Sequence, residues 1–597
     1  MAEVGAPGLG WLDLVVLLGV LVAVTVIADR LAGRAQGARD FFLGGRRLPW
    51  YAVSASIIAT EISAVTFISL PSVVYRPGGD LTYLQIVLAY GVSRCLVAWL
   101  LVPRYLEREV FSPYEYLGTV LGRGARRTAT GLFLFGGVLA QGARVYLTAL
   151  ILQVLLGPQL EWVRQLTGLP TLLTATLMVV AVALLWTLLG GIATVIWTDA
   201  LLSLLLVVGL IVSLVALTAK LPGDWVTTLQ AAGEAGKLRL LEPQPSWTAP
   251  YTLLAALLGA TVGGVGAFGT DQLVAQRLFC CRSVREARWA MVASFAGIVI
   301  TAMVMLLGLG LWRYSASAEW AAAGSATAAS IAAQPDRVFP VFILWDLPAG
   351  LRALVIAGAR GAAVSSLDSI LTALAQGTLS LLGDREASSS TDATDSSDGT
   401  DDAVHAVDGD ETGAAEASTG GDGHLGNART WVVLWAVVLG AVGMSMAPLA
   451  VRYRAILDLA LAMAGLTGGA LLAGVLLAVF GGRDRRRGAV RGARYRFAAP
   501  LSALVLIGVV AHSLAAQVFI ALLGAALIAW RISVSRRGAL VDGLVLAVGA
   551  VGALALSRWG LSEAGAPLAW PWYVPLGAAV TALAVWAMRL DPRQGTA

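Results

Sequence analysis

Residues 50–75, WYAVSASIIATEISAVTFISLPSVVY, decide how the rest of this chain is read. The stretch is long enough to cross a bilayer as a helix, which takes roughly 20 mostly apolar residues. Yet its middle carries Thr60, Glu61, Ser63, Thr66 and Ser69, and Pro71 and Pro77 follow. Polar groups at that depth are costly unless they face the bundle interior, water or an ion. The pattern predicts an interrupted or functional helix with a site beside it, not a plain anchor.

Outward from this stretch the chain is membrane protein throughout. Of its 597 residues 58% are hydrophobic and 13% charged, and the mean hydropathy of +0.77 is far from that of a soluble domain. Apolar runs predict helices near 11–28, 50–75, 82–103, 128–156, 170–190, 194–217, 249–274, 289–312, 349–383, 430–448 and 455–480, then 497–513, 515–531, 540–557 and 570–588. The first run contains Asp13, has no basic region before it and no small-residue cleavage site, so it reads as a retained helix and not a signal peptide.

Arginine clusters at 30–47, 104–127, 277–288, 483–496 and 531–537 set the topology. Placing all five in the cytoplasm leaves the N-terminus outside, with 496–531 a tight hairpin. The net charge of +5 then reports topology and not nucleic-acid binding. The segment 384–428 is rich in Ser, Thr, Asp and Gly, too polar to bury a core, and is expected to be a disordered acidic cytoplasmic loop. The predicted organisation is an extra N-terminal span and loop over 1–48, five-helix halves over 49–218 and 249–480, and accessory C-terminal helices over 481–597.

Charged and hydroxylated residues inside spans are the candidate site. Ala362, Ser365, Ser366 and Ser369, in GAAVSSLDS (361–369), follow one another at spacings that put them on one helical face. Hydroxyl oxygens on such a stripe suit a small hard cation, and the alternative is that small residues there allow close helix packing. Asp199 is the only charge between Thr167 and Ala219, and Asp368 stands one turn beyond Ser365. Arg144 is the single charge between Thr128 and Gly157 and suits either a substrate carboxylate or a structural acid. Arg360 reads as structural or as lining a water path.

Several chemistries lack their parts. There is no GxxxxGK[ST] phosphate loop, so a nucleotide-driven pump is not expected. The only histidines are His405, His424 and His512, and Cys95, Cys280 and Cys281 have no metal-ligand spacing, so the chain is not read as an enzyme or a metal-centre protein.

Five motifs resemble the sodium:solute symporter family, which includes sodium/glucose, sialic acid, proline and monocarboxylate transporters. They are DFFLGGRRLPWYAVSASIIATEISAVTFISLPSVVY from Asp40, GGIATVIWTDALL from Gly190, GTDQLVAQRLFCCRSVREAR from Gly269, GARGAAVSSLDSILTALAQGT from Gly358 and AWPWYVPLGAAVT from Ala569. The resemblance implies an all-α fold of two inverted five-helix repeats plus flanking helices, 13 to 15 transmembrane helices in all. It implies a sodium site made by the backbone carbonyls of Ala59, Ile62 and Ala362 and the hydroxyls of Ser365 and Ser366. In some members a second sodium is held at positions matching Asp199, Ser365, Asp368 and Ser369. Sialic acid symporters that resemble this segment have serine where this chain has Asp368, which puts the second site in doubt. Leu202 stands where the family often has glutamine, and Arg360 where an uncharged residue is usual.

Substrate positions carried over from the resemblance are Ser63, Thr66, Gln85 and Arg144. Arg144 resembles the carboxylate-binding arginine of the sialic acid branch and points to an organic anion such as sialic acid or a monocarboxylate. A neutral sugar or other polyol stays open. The expected protein is a monomeric plasma-membrane (cell inner membrane) symporter with sodium as its coupling ion, a small-molecule substrate and the lipid bilayer as partners, and no nucleic acid. Proton coupling through Asp199 and Asp368 and a solute-sensing receptor are the alternatives. The receptor would need an attached soluble module, and the sequence runs only a few residues beyond its last apolar run to Ala597.

Overall fold

The computed structural model describes residues 9–33, 44–62, 64–108, 110, 112–189, 192–317, 320, 325–394, 421–450, 456–481, 484–511, 513–534, 538–559 and 568–589. The side chains of 64–65 and 360–366 lie outside that description. Among the described residues the chain is helical with no strand, and a single bridge joins Leu48 to Cys281. In hydrocarbon a backbone group without an internal partner is expensive, and helices satisfy these groups within one segment.

In chain order the helices are α1 Trp11–Ala32, α2 Trp50–Glu61, α3 Ala64–Tyr75, α4 Tyr83–Leu106, α5 Arg123–Leu155, α6 Thr171–Leu189 and α7 Ile192–Thr218. Then come α8 Ala255–Gly269, α9 Gln272–Phe279, α10 Val284–Tyr314, α11 Leu351–Thr394, α12 Gly421–Ser445 and α13 Ile456–Phe480. The chain closes with α14 Arg485–Val510, α15 Leu514–Val534, α16 Ala539–Trp559 and α17 Tyr573–Ala587. Among the described residues nine helices are long and apolar enough to span, or eleven if each of two bent pairs is one span, and three shorter apolar helices accompany them. Side chains such as Trp586 (82% exposed) face outward, as lipid-facing positions should.

The stretch that opened the sequence reading is broken. After Glu61 the chain leaves helical geometry at Ile62 (φ −85°, ψ 70°), and α2 and α3 meet at 54°. Hydroxyls re-satisfy the carbonyls nearby: Thr60 Oγ1 donates to Ser56 O at 2.9 Å and Thr66 Oγ1 to Glu61 O at 3.3 Å.

The second break is not where the sequence suggested. The run at 349–383 lies within one continuous helix, α11, and hydroxyls there donate back to the preceding turn without interrupting it, as Thr372 does to Asp368 O and Thr378 to Leu374 O. The interruption falls instead between α8 and α9, at Thr270 and Asp271. Asp271 is extended (φ −73°, ψ 127°) and its carboxylate accepts from Leu273 N at 2.9 Å, starting a new helix. Carbonyls freed at this break are taken up by Tyr105 OH, donating to Gly269 O at 2.8 Å, and Tyr114 OH, donating to Thr270 O at 3.0 Å. Each expected half thus opens on a broken helix.

Helices α7 and α11 run antiparallel in close contact. A Cβ on Gly358 would lie 3.1 Å from Leu206 Cα, and one on Gly209 would lie 3.2 Å from Val355 Cα. Small residues therefore serve close packing in the turns before GAAVSSLDS. Continued along the two axes, the same register sets position 199 level with position 365, one turn from Asp368 and Ser369. Helix α1 is held to the start of α11 by Asp13, which accepts from Arg352 Nε at 2.7 Å and from Gly350 N at 2.8 Å. Helix α14 ends at Val510, α15 begins at Leu514, and the two pack together. Of the acidic stretch, α11 extends to Thr394 and α12 begins at Gly421, while 395–420 lie outside the described residues.

Candidate functional site

Helix α11 packs against both halves of the first broken helix. Ala59 and Ile62 are buried at that break, and the non-helical ψ of Ile62 turns its carbonyl away from the α2 axis. Backbone oxygens freed in this way are suited to sodium. The side chains of Ala362, Ser365 and Ser366 lie outside the described residues, as does Ser63. The helices meant to carry the first ion site are therefore together, and its hydroxyls are not described.

A second cluster is described in full. Asp199 is completely buried and accepts from Ser56 Oγ at 2.5 Å and from Arg277 Nη2 at 2.9 Å. Arg277, itself 1% exposed, donates through Nε to Ser56 Oγ at 2.7 Å, through Nη2 to Ser369 Oγ at 3.0 Å, and through Nη1 to Leu273 O. Ser369 Oγ donates to Asp368 Oδ1 at 3.3 Å. Sequence reasoning brought Asp199, Asp368 and Ser369 together and missed Arg277, which it had counted with the cytoplasmic basic cluster.

A further ion pair was also missed. Arg94 of α4 is buried, pairs with Glu61 at the first break, donates to Ser294 Oγ at 3.0 Å, and lies 4.1 Å from the ring centroid of Phe268 on α8. It thus joins both broken helices. The signal was present, since Arg94 is the only charge between Asp80 and Arg104, the same isolation that singled out Arg144.

Between α5, α8 and α13 lies a cavity of about 130 Å³, with Tyr90, Gln141, Thr270, Asp271, Thr467 and Trp570 on its wall among apolar and glycine residues. Gln141 is buried and its Oε1 has no partner among the described residues. A Cβ on Gly263 would meet nothing within 4 Å, so this glycine faces open space. Of the expected substrate residues, Thr66 is committed to Glu61 O, and Gln85 donates to Thr82 O and Tyr251 O outside the cavity. Arg144 is half-buried within electrostatic range of Asp271 and is not on the wall.

The two ends of the cavity differ. At one end Tyr251 OH and Trp570 Nε1 both donate to Asp458 Oδ1, at 2.7 and 3.0 Å, and the Tyr83 and Tyr251 rings meet edge-on at 5.4 Å. The carbonyls ending α3 are capped by Lys237 Nζ, which donates to Val74 O, Arg76 O and Gly79 O at 2.7, 3.0 and 3.1 Å. Burial pulls the Lys237 ammonium below its ordinary pKa, with Asp80 opposing the shift. Towards the other end, past Tyr114 and Phe133, a second cavity of about 210 Å³ is lined by Ser112, Glu115, Arg126, Gln272, Gln376 and Ser380.

Residues 41–378 match the model of the sodium:solute symporter family. The chain belongs to that family. Human sodium-coupled monocarboxylate transporter 1 is 29% identical over 375 residues, covering 62% of this chain and 58% of the relative. The sodium/sialic acid symporter SiaT of Proteus mirabilis is 26% identical over 369 residues, covering 61% and 70%. The human sodium/iodide cotransporter is 28% identical over 351 residues, covering 58% and 51%. The chain thus spans between about half and two thirds of the length of these relatives. A solved structure of a Na+-coupled sialic acid symporter in a substrate-bound outward-open state superposes with a TM-score of 0.64 at 20% identity, covering 96% of this chain and 97% of the other. This family member therefore has that symporter's fold.

Proposed function

We propose that this chain is a sodium-coupled symporter of the plasma membrane that moves a small organic solute inward by alternating access. The observation that carries the reading is the packing of α11 against a helix broken at Ile62, near a cavity whose wall includes Trp570, held with Tyr251 on Asp458. Sodium bound by the carbonyls of Ala59, Ile62 and Ala362 and the hydroxyls of Ser365 and Ser366 steadies the break, and the steadied break shapes the neighbouring cavity. Coupling is then reciprocal: a sodium ion that tightens the solute is tightened by it in equal measure. The membrane potential adds about 2.3 kcal/mol per charge per 100 mV to the inward drive.

The solute is a small organic anion, with Arg144 as its carboxylate partner, in keeping with the monocarboxylate and sialic acid relatives. A neutral hydroxylated solute is the second reading, favoured by a cavity wall that carries Gln141, Thr467 and Asp271 while Arg144 stands behind it. Uptake into proteoliposomes with sodium or choline outside, run against short carboxylates, sialic acids and sugars, separates the two. Replacing both Ser365 and Ser366 by alanine is expected to abolish sodium-dependent uptake in a protein that still folds. Undiminished uptake in that variant defeats the ion-site assignment.

A further inference from the structure

We propose that the end of the bundle where α5 and α14 begin and α15 ends is a binding site for a phospholipid with a net negative headgroup, held by Arg127 and Arg496. Only a membrane-spanning chain is required, so the site is independent of the sodium-coupled reading. Helix α14 starts by crossing the short helix Pro113–Leu121 at backbone distance, since a Cβ on Gly492 would strike Leu121 O and one on Gly488 would strike Val120 O. The crossing lays the stem of Arg496 along the first turn of α5, where a Cβ on Gly124 would strike Arg496 Cδ. Arg127 stands three residues further along that face of α5, within electrostatic range of Arg496.

Two like charges thus lie side by side on segments that hold no acid, for none occurs between Glu115 and Glu161 or between Asp484 and Asp542. The acids at the edges of those segments are engaged elsewhere: Glu115 lines the 210 Å³ cavity with Arg126, Asp484 pairs with Arg487 at 3.5 Å, and Asp542 pairs with Arg531. Among the described residues the half-buried Arg496 guanidinium meets rings and no hydrogen-bond acceptor, 5.3 Å from the centroid of Trp530 and 6.0 Å from that of Phe497. Trp530 is exposed near the end of α15, and tryptophan at the end of a span marks the headgroup level. The anion present at that depth is a lipid phosphate, and basic pockets between spans hold such headgroups. From Trp530 one face of α15 runs on through Ala526, Leu523 and Phe519, at spacings of three and four and all exposed. That face gives an acyl chain an apolar track leading away from the arginines, which a soluble phosphate would not use.

Native mass spectrometry of the full-length chain, stripped of lipid and offered equal amounts of phosphatidylglycerol and phosphatidylcholine, tests this. The wild type is expected to retain phosphatidylglycerol in preference, and Arg127→Gln/Arg496→Gln to lose about fivefold of that preference for each arginine. Arg486→Gln/Arg487→Gln removes the same charge from the exposed start of α14 and is expected to leave the preference unchanged. An equal loss in that control, or no preference in the wild type, overturns the proposal. Should the first double variant not stay monodisperse, Arg496→Gln alone keeps a stem against Gly124 and is expected to show a single step of about fivefold. An unchanged preference in that variant overturns the proposal equally. Glycerol phosphate, which has the phosphate without the chains, is expected not to displace the bound lipid at the same concentration, and displacement overturns the assignment to a lipid.

Discussion

Two arginine–aspartate pairs in this molecule are equally buried and differently used. Arg277 and Asp199 lie 78 residues apart and join α9 to α7, with hydroxyls of α2 and α11 completing the cluster. Arg531 and Asp542 lie eleven residues apart, at 2.7 Å through Nε and 2.6 Å through Nη2, and clasp the consecutive helices α15 and α16. Asp542 also accepts from Arg589 N at 2.5 Å, and Arg531 lies 6.0 Å from the Phe497 ring. The second pair thus meets a backbone amide and a ring, whereas the first is surrounded by hydroxyls and a second carboxylate. Burial alone therefore does not mark function, and the company the pair keeps does.

The sharpest way to break this comparison is to truncate one acid from each pair. Removing one partner of a buried ion pair leaves an uncompensated charge and costs about 3–5 kcal/mol, so Asp199→Ala and Asp542→Ala should both melt markedly earlier. Only Asp199→Ala should also change the sodium dependence of uptake per folded molecule. An equal change in Asp542→Ala would erase the distinction.

Replacing whole pairs sharpens it. Well-packed apolar replacement of a buried ion pair is often neutral or stabilising by about 1–4 kcal/mol. Arg531→Met/Asp542→Leu should accordingly melt no earlier than the wild type and transport normally, whereas Arg277→Met/Asp199→Leu should recover stability without normal sodium dependence. Thermal unfolding and uptake on the same preparations decide it.

A third acid, Asp13, resembles the Arg531–Asp542 clasp, since it binds Arg352 and the Gly350 amide and fastens α1 to the bundle. Asp13→Asn leaves the arginine underserved and should cost about 1–3 kcal/mol, read as a lower melting temperature with unchanged sodium affinity. The smallest effect is expected at the Asp458 contact. Tyr251→Phe deletes one hydrogen bond to Asp458, about 0.5–1.5 kcal/mol, and should raise several-fold the rate at which an external thiol reagent reaches a cysteine placed by Gly263→Cys.

Much of the fold could be read from the residues because lipid imposes simple terms. Apolar runs marked the spans, arginine clusters marked connections between them, and the density of hydroxyls around Glu61 marked a helix that would not stay whole. The break at Thr270–Asp271 escaped notice because VGGVGAFG, just before it, is apolar and looks like any span. The matching expectation at 349–383 failed because hydroxyls three or four residues from a carbonyl mend a helix as readily as they interrupt one. Asp199, Asp368 and Ser369 were legible as a group, since an isolated carboxylate in a span needs an explanation.

The sequence by itself determined that this is a polytopic membrane protein and which helices carry its polar residues, since hydropathy and charge act residue by residue, and its motifs carried the family resemblance. Only the tertiary structure decided what those residues meet. Arg277 reads in sequence as one more cytoplasmic arginine, and the fold turns it inward onto Asp199, Ser56 and Ser369 from three other helices. Arg94 reads as an oddity in a span, and the fold sets it between Glu61 and Phe268 at the two breaks. A charge announces that it needs a partner, but the partner's identity depends on how distant helices pack, and that is a property of the folded bundle alone.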